Sequence, residues 1–181
     1  MLDRGLNGLR MYPVPADVRR LMYKVKHAQG VDITRIFCGL NEVRNIIPSI
    51  HYALEAGMIP QATLCITFSP VHTVEYYTAI AERLIEAGAP EICLKDMAGV
   101  GRPEMLGRLT KAIKERHPEI IIQYHGHSGP GLSMASILEV CENGADIIDV
   151  AMEPISWGKV HPGRYLCAGY AERRGISGTG D

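Results

Sequence analysis

Short apolar runs recur along the chain roughly every 26 to 30 residues, and each is separated from the next by a longer amphipathic segment. This βα periodicity predicts five strands with helices between them. The apolar runs are continuous, without the polar alternation of a half-exposed sheet, so the strands are predicted to be parallel and covered by helices. The predicted strands are 32–37, 62–68, 91–95, 120–125 and 146–151.

The segments between these runs carry one apolar stripe each, with apolar residues three or four positions apart, as an amphipathic helix requires. Several of them end at a glycine that can adopt the left-handed conformation after a helix. Pro103 stands at the first-turn position that proline favours in the predicted helix before the fourth run. The glycines that end helices are Gly30, Gly57, Gly88 and Gly144.

Chemically reactive side chains cluster where the predicted strands end, which is where (β/α) barrels place their sites. The fold class is therefore predicted as α/β, an incomplete (β/α)8 barrel. A doubly wound sheet is the alternative, but such folds usually carry a glycine-rich phosphate loop, and Ala98-Gly99-Val100-Gly101 does not complete that motif. The clustered residues are Asn41, Lys95, Asp96, His125 and His127.

Composition narrows the possible partners. The chain has 181 residues, 46% of them hydrophobic, a net charge of −1 and a pI near 6.7, so it fits one globular domain or a piece of one and offers no basic surface for nucleic acid. No apolar run reaches the ~20 residues of a membrane helix, so no direct membrane insertion is expected. The five cysteines form no C-x-x-C motif, and a reducing cytoplasm is expected.

His125 and His127 lie two residues apart at the end of an apolar strand, so their side chains point to the same side. Two imidazoles in this arrangement can hold a divalent metal, with zinc, manganese and cobalt as the candidates. The alternative is that each histidine is a structural hydrogen-bonding group. We favour the metal site.

Lys95 ends the preceding apolar strand and is expected to enter the interior that the two histidines face. Because an ammonium group beside a divalent cation is repelled, two arrangements remain open. Lys95 either pairs with a carboxylate such as Asp96, or reacts with carbon dioxide to give an anionic carbamate that can itself ligate the metal.

Several motifs resemble, in order and in spacing, those of the biotin-dependent carboxyltransferases, which include the carboxyltransferase domain of pyruvate carboxylase and the oxaloacetate decarboxylase alpha subunit. Lys95-Asp96-Met97-Ala98-Gly99 is the most specific of them, and the resemblance covers about residues 4 to 162. The motifs are Arg4-Gly5-x-Asn7, Arg35-Ile36-Phe37-x-x-Leu40-Asn41, Leu94 to Gly99, His125-x-His127, and Gly144 to Ala151.

The resemblance implies metal-dependent carboxyl transfer between biotin and pyruvate or oxaloacetate, with the biotin on a partner domain or subunit. It implies that Lys95, as the carbamate, and His125 and His127 are metal ligands, and that Arg4 holds the keto acid's carboxylate. It also implies that the full-length protein is a homo-oligomer. An acyl-CoA-dependent condensing or lyase barrel of the same superfamily, and an inactive fragment or interaction module, are the alternative functions.

The sequence departs from the family pattern after the histidines. A threonine that relays a proton in the family is replaced by Gly129, and Ser128 or Ser133 could take over that role; we choose Ser128 as the candidate catalytic hydroxyl. Cys38 stands where the family has aspartate. Other candidates are assigned lesser roles: Asp146 and Asp149 are expected to be helix-cap or interior acids, and His161 a neighbour of the site.

The resemblance places the chain at about strands three to eight of the barrel, so residues 1–162 are expected to be an N-terminally truncated carboxyltransferase domain. Residues 163–181 lack the amphipathic stripe that the family shows there. This tail is expected to be a frameshifted, disordered segment outside the family domain.

Overall fold

The computed structural model describes residues 1–173 and residue 175. Strands and helices alternate through this part of the chain, with a short 3₁₀ turn at Gly5–Asn7 after the first strand. The strands are β1 Leu2–Asp3, β2 Ile33–Ile36, β3 Ile59–Cys65, β4 Glu91–Asp96, β5 Ile121–Gly126 and β6 Ile147–Ile148. The helices are α1 Ala16–Ala28, α2 Val43–Glu55, α3 Val74–Glu86, α4 Pro103–Arg116, α5 Ser133–Glu142 and α6 Arg164–Arg173.

The six strands form one parallel sheet in the order β1-β2-β3-β4-β5-β6. Leu2 pairs with Arg35, Ile33 with Ile59, and Gln123 with Ile147. A doubly wound sheet reverses its strand order at a switch point, whereas the order of the described strands follows the chain without reversal. This order is that of a (β/α) barrel and excludes the doubly wound alternative for the described strands.

Contacts between backbone segments divide the chain into two compact units. The first comprises Met1–Cys65 and Ala79–Cys93, and the second comprises Ile66–Thr78 and the chain from Leu94 onward. Each has its own fully buried apolar side chains. In the first these include Tyr23, Ile36, Ile46, Ile50, Leu64, Leu84 and Ile92, and in the second Tyr77, Leu94, Leu106, Leu109, Ile122, Tyr124 and Val140.

Two strands differ from the sequence predictions in their bounds. β3 begins at Ile59 and ends at Cys65, earlier than predicted, because the polar Gln61 is buried and donates to the Glu91 carboxylate at 2.8 Å. β6 contains only Ile147–Ile148 of the predicted 146–151.

The segment after residue 163 also differs from the prediction that it is disordered. Residues Arg164–Arg173 form α6, and Cys167 on this helix is buried, which gives the segment an anchor that its weak apolar pattern did not indicate. Residues 174 and 176–181 lie outside the described residues. No described helix is long and apolar enough to cross a membrane.

Asn41 closes the first unit's β2–α2 loop. Its backbone is left-handed, with φ at 54°, a conformation that asparagine tolerates better than most residues. Its side-chain amide accepts from the Cys65 N–H at 2.7 Å and donates to the Cys65 carbonyl at 2.9 Å. The loop is therefore fixed to the carboxyl end of β3.

Asp3 is a buried acid in the first unit. Its carboxylate accepts a hydrogen bond from the Tyr23 hydroxyl, and the side chain is fully buried. Burial raises the pKa of Asp3 to about 6, although the hydrogen bond from Tyr23 and the Arg19 guanidinium act in the opposite direction. The same burial and the neighbouring Asp3 charge raise the pKa of Tyr23.

The Asp3 carboxyl should make stability fall as pH rises. Between its unfolded pKa near 3.8 and its folded pKa of about 6, the folded chain binds more protons than the unfolded chain, so the free energy of unfolding decreases as pH increases through this window. The decrease should be about 3 kcal/mol at most. Urea unfolding at pH 4 and pH 7 measures it. Asp3→Asn should flatten the pH dependence, whereas Asp17→Asn, at an exposed position on α1, should keep it; an unchanged slope in Asp3→Asn would contradict the assignment.

Candidate metal centre

Lys95 and Asp96 end β4 in the second unit, and both are almost completely buried. The Asp96 carboxylate is held by its own loop: one oxygen accepts from the Val100 N–H at 3.0 Å and the other from the Gly101 N–H at 2.8 Å. Burial raises the pKa of Asp96, opposed by these backbone donors and by His127. The carboxylate therefore shapes the β4–α4 loop.

Strand alternation places neighbouring residues on opposite faces of the sheet. Lys95 and Asp96 therefore lie on opposite faces of β4, and Tyr124 and His125 lie on opposite faces of β5. Burial, and after it the Asp96 charge, raises the pKa of the Tyr124 phenol. The His127 N–H donates to the Asp96 carbonyl at 3.1 Å and joins the ends of the two strands.

Three half-buried histidines converge at the end of β5. Their potential ligand atoms all lie within 4.8 Å of one another, and His125, His127 and His161 are the one such group with three or more members among the described residues. The His125 and His127 rings stand 5.3 Å apart. His161, which sequence reasoning placed only near the site, lies 4.4 Å from the His125 ring and 4.8 Å from the His127 ring.

Each imidazole is oriented through its Nδ1 atom. His125 Nδ1 bonds the Asp149 carboxylate at 2.6 Å, His127 Nδ1 bonds the Lys159 carbonyl at 2.7 Å, and His161 Nδ1 bonds the Gly126 carbonyl at 2.8 Å. Because these partners are acceptors, Nδ1 must carry the proton of each neutral ring. In this tautomer Nε2 is the ring atom with the lone pair through which an imidazole binds a cation.

This donor set fits a divalent metal. Metal-binding histidines usually donate their second N–H to a carboxylate or a backbone carbonyl, which fixes the ring and raises its basicity. Asp149 supplies that carboxylate, a function that sequence reasoning did not assign to it. Asp146 instead accepts from the Ile122 N–H at 2.7 Å and pairs with Lys114 at 2.8 Å, so it is structural.

Ser128 lies in the loop between β5 and α5 and is buried. Its Oγ accepts from the buried Ser133 hydroxyl at 3.0 Å, so the two candidate proton carriers are adjacent. The Ser128 N–H donates to the Val160 carbonyl at 2.8 Å. Ser128 consequently keeps its own hydroxyl proton to donate.

Two glycines of these loops should respond differently to substitution. A Cβ on Gly129 would meet nothing within 4 Å, whereas a Cβ on Gly99, with φ at 67°, would clash with the His127 carbonyl oxygen. Gly129→Thr should change the free energy of unfolding by less than about 0.5 kcal/mol, and Gly99→Ala should lower it by about 1–3 kcal/mol. Thermal and urea unfolding compare the two. Equal destabilisation would contradict the described loop geometry.

A cavity of about 510 Å³ opens among the loops of the second unit. The Arg102 guanidinium covers the Phe68 ring at 4.6 Å on its wall. The other lining residues are Thr67, Ala98, Val100, Pro130 and Leu132. The cavity therefore borders the two loops that follow Asp96 and Ser128.

Arg4, the predicted carboxylate-binding residue, belongs to the first unit. It follows β1 directly, is half-buried, and its guanidinium donates to the Leu9 carbonyl at 3.3 Å. The second unit contains Lys95, Ser128, His125 and His127, and it brings His125 and His127 together with His161. The roles of Lys95, Ser128 and Arg4 stay predictions.

A parallel sheet in barrel order, with imidazoles and a lysine at the ends of adjacent strands, places the chain in the class of (β/α)-barrel proteins. The HMGL-like family profile matches residues 40–156, and the chain belongs to the HMGL-like family.

Comparison with known proteins agrees with this class. The chain is 41% identical over 164 residues to a pyruvate carboxylase subunit of Methanocaldococcus jannaschii, covering 90% of this chain and 28% of that protein. It is 37% identical over 162 residues to the methylmalonyl-CoA carboxyltransferase 5S subunit of Propionibacterium freudenreichii subsp. shermanii, covering 89% of this chain and 32% of that protein.

The fold is that of a solved domain. The structure of the carboxyl transferase domain from Rhizobium etli pyruvate carboxylase with pyruvate matches with a TM-score of 0.94 at 30% identity, covering 100% of this chain and 32% of that one. The six-stranded sheet and its helices correspond to part of that TIM barrel. This chain spans about a third or less of these relatives.

Proposed function

We propose that the chain forms the metal-binding part of a biotin-dependent carboxyltransferase that moves a carboxyl group between biotin and pyruvate or oxaloacetate. The observation that carries the proposal is the group of three half-buried imidazoles at the end of β5, the strand that neighbours β4, where Lys95 and Asp96 lie. The relatives named pyruvate carboxylase and carboxyltransferase support the substrate class.

His125 and His127 would hold the metal through Nε2, and Lys95 would complete the ligand set as a carbamate. The Lys95 ammonium would first lose one proton, and the neutral amine would then add to carbon dioxide, form an N–C bond and release a second proton. The carbamate anion would thus replace the ammonium cation. Zinc, manganese and cobalt all suit imidazole and carboxylate-like donors. When bound, such a metal supplies a Lewis acid for a keto oxygen.

Ser128 would move the proton of the transfer. When pyruvate is carboxylated, its methyl group loses a proton and the biotin ring nitrogen that releases carbon dioxide gains one. The Ser128 hydroxyl, which already accepts from Ser133, can accept a proton on one side as it donates on the other. Ser128 would thereby supply the hydroxyl that Gly129 does not have.

Arg4 would bind the keto acid's carboxylate with its two-pronged guanidinium. Biotin would arrive on a partner domain or subunit. The full-length protein would be a cytoplasmic homo-oligomer.

The activity can be tested with the purified chain, bicarbonate and each candidate metal in turn. Oxaloacetate decarboxylation, followed as pyruvate produced, should be stimulated by free biotin and abolished by a chelator. Cleavage of an acyl-CoA without any biotin effect would instead support the condensing or lyase alternative. Metal binding without either activity would support the interaction module.

A further inference from the structure

The segment between β6 and α6 folds back onto the end of β5. Three consecutive residues of β5 and its loop hold it: the Gly126 carbonyl accepts from His161, His127 bonds the Lys159 carbonyl, and the Ser128 N–H donates to the Val160 carbonyl. These three hydrogen bonds hold the segment that carries His161 against the residues that surround His127.

The spacing of the three rings suits a shared cation. With metal–nitrogen bonds of 2.0–2.1 Å and tetrahedral angles, the centres of imidazoles on one zinc ion lie about 5 Å apart. The observed separations are 5.3, 4.4 and 4.8 Å. Imidazole rings that only pack against one another can also reach such separations. The state of the ring nitrogen atoms distinguishes metal ligation from packing.

The nitrogen chemistry of His161 matches that of the predicted ligands. Its Nδ1 is engaged by the Gly126 carbonyl, just as His125 and His127 are engaged by acceptors through Nδ1. Its Nε2 is thereby left with a lone pair. A third neutral imidazole beside two others favours zinc or cobalt over the harder manganese ion.

We propose that His161 is a third imidazole ligand of the metal held by His125 and His127. This inference rests on the proposed function only for the presence of a metal at the histidine pair. It makes His161 a determinant of metal affinity and of metal choice.

Asparagine and glutamine at position 161 separate ligation from a structural role. The amide of His161→Asn can donate to the Gly126 carbonyl as Nδ1 does, but offers no imidazole Nε2. If His161 ligates the metal, His161→Asn should bind Zn²⁺ at least about 100-fold more weakly than wild type, and His161→Gln likewise. His117→Gln, at the carboxyl end of α4, is the matched control and should bind as wild type does.

Competition of the purified full chain with a chromophoric chelator measures these affinities, and circular dichroism of the metal-free variants checks folding. If His161→Asn binds Zn²⁺ within about threefold of wild type while His125→Asn loses binding, the inference is overturned and the proposed function stands. If the wild-type chain binds no metal, both the inference about His161 and the proposed function are contradicted.

X-ray absorption of the zinc-loaded wild type gives a second test that needs no variant. Three imidazoles around the metal are expected. Two imidazoles would overturn the inference even if every variant failed to fold.

Discussion

Lys95→Ala is expected to lower biotin-stimulated oxaloacetate decarboxylation by at least about 1000-fold. The substitution removes the nitrogen on which the proposed carbamate would form, and the loss of that anionic ligand would weaken the binding of a Lewis acid whose contribution is several kcal/mol. Lys95 is 4% exposed, so the alanine leaves a buried space where the lysine side chain was. Added propionate should restore part of the activity by placing a carboxylate there.

Two matched variants test whether the loss of activity is specific to the Lys95 amine. Lys95→Met fills the same space with an apolar chain and should be inactive with or without propionate. Lys111→Met, on the exposed surface of α4, should retain wild-type activity. A Lys95→Met variant with wild-type turnover would exclude the carbamate.

His125→Ala, Asp149→Asn and Asp146→Asn should form a graded series in metal affinity. The first removes a ligand atom and should weaken Zn²⁺ binding by at least about 1000-fold. The second leaves the ligand but weakens the group that orients it, the Asp149 carboxylate at 2.6 Å from His125 Nδ1, and should cost about 10- to 100-fold.

The third variant is the control for this series. Asp146 contacts Lys114 and the Ile122 N–H, so Asp146→Asn should affect stability and leave metal affinity unchanged. Isothermal titration calorimetry with Zn²⁺ measures the metal affinity of all three variants. An Asp149→Asn affinity equal to that of wild type would show that the carboxylate does not support the ligand.

The sequence predicted the parallel α/β fold because the runs at 120–124 and 146–151 are nearly continuously apolar, and such runs are typical of strands buried on both faces. The apolar pattern missed β1, which has two residues and depends on its pairing with β2. It misplaced β3 because Gln61 reads as a loop residue, while its buried bonds to Arg35 and Glu91 are made with distant segments.

The candidate site was predictable only where its residues are close in sequence. His125 and His127 share a strand, so their spacing alone indicates a common direction. Asp149 contacts His125 from 24 residues away in the sequence, just after β6. His161 reaches the pair in a loop held by its own side-chain bond to the Gly126 carbonyl and by the Ser128 N–H bond to the Val160 carbonyl. No local pattern encodes that contact.

The frameshift proposed for residues 163–181 stays a prediction. α6 shows that part of this segment can form a helix, and the family profile ends at residue 156. The underlying nucleotide sequence would reject the frameshift if it permits no amphipathic reading beyond His161-Pro162.

We propose that Lys95, as a carbamate, and the imidazoles of His125 and His127 bind one divalent ion together. Anomalous diffraction at the zinc edge, from crystals of the chain grown with Zn²⁺ and bicarbonate, tests this directly. We expect a single strong peak about 2.0–2.1 Å from Nε2 of both histidines, with added density on the Lys95 Nζ atom. A peak elsewhere, or a bare Lys95 amine pointing away from the histidines, would contradict it.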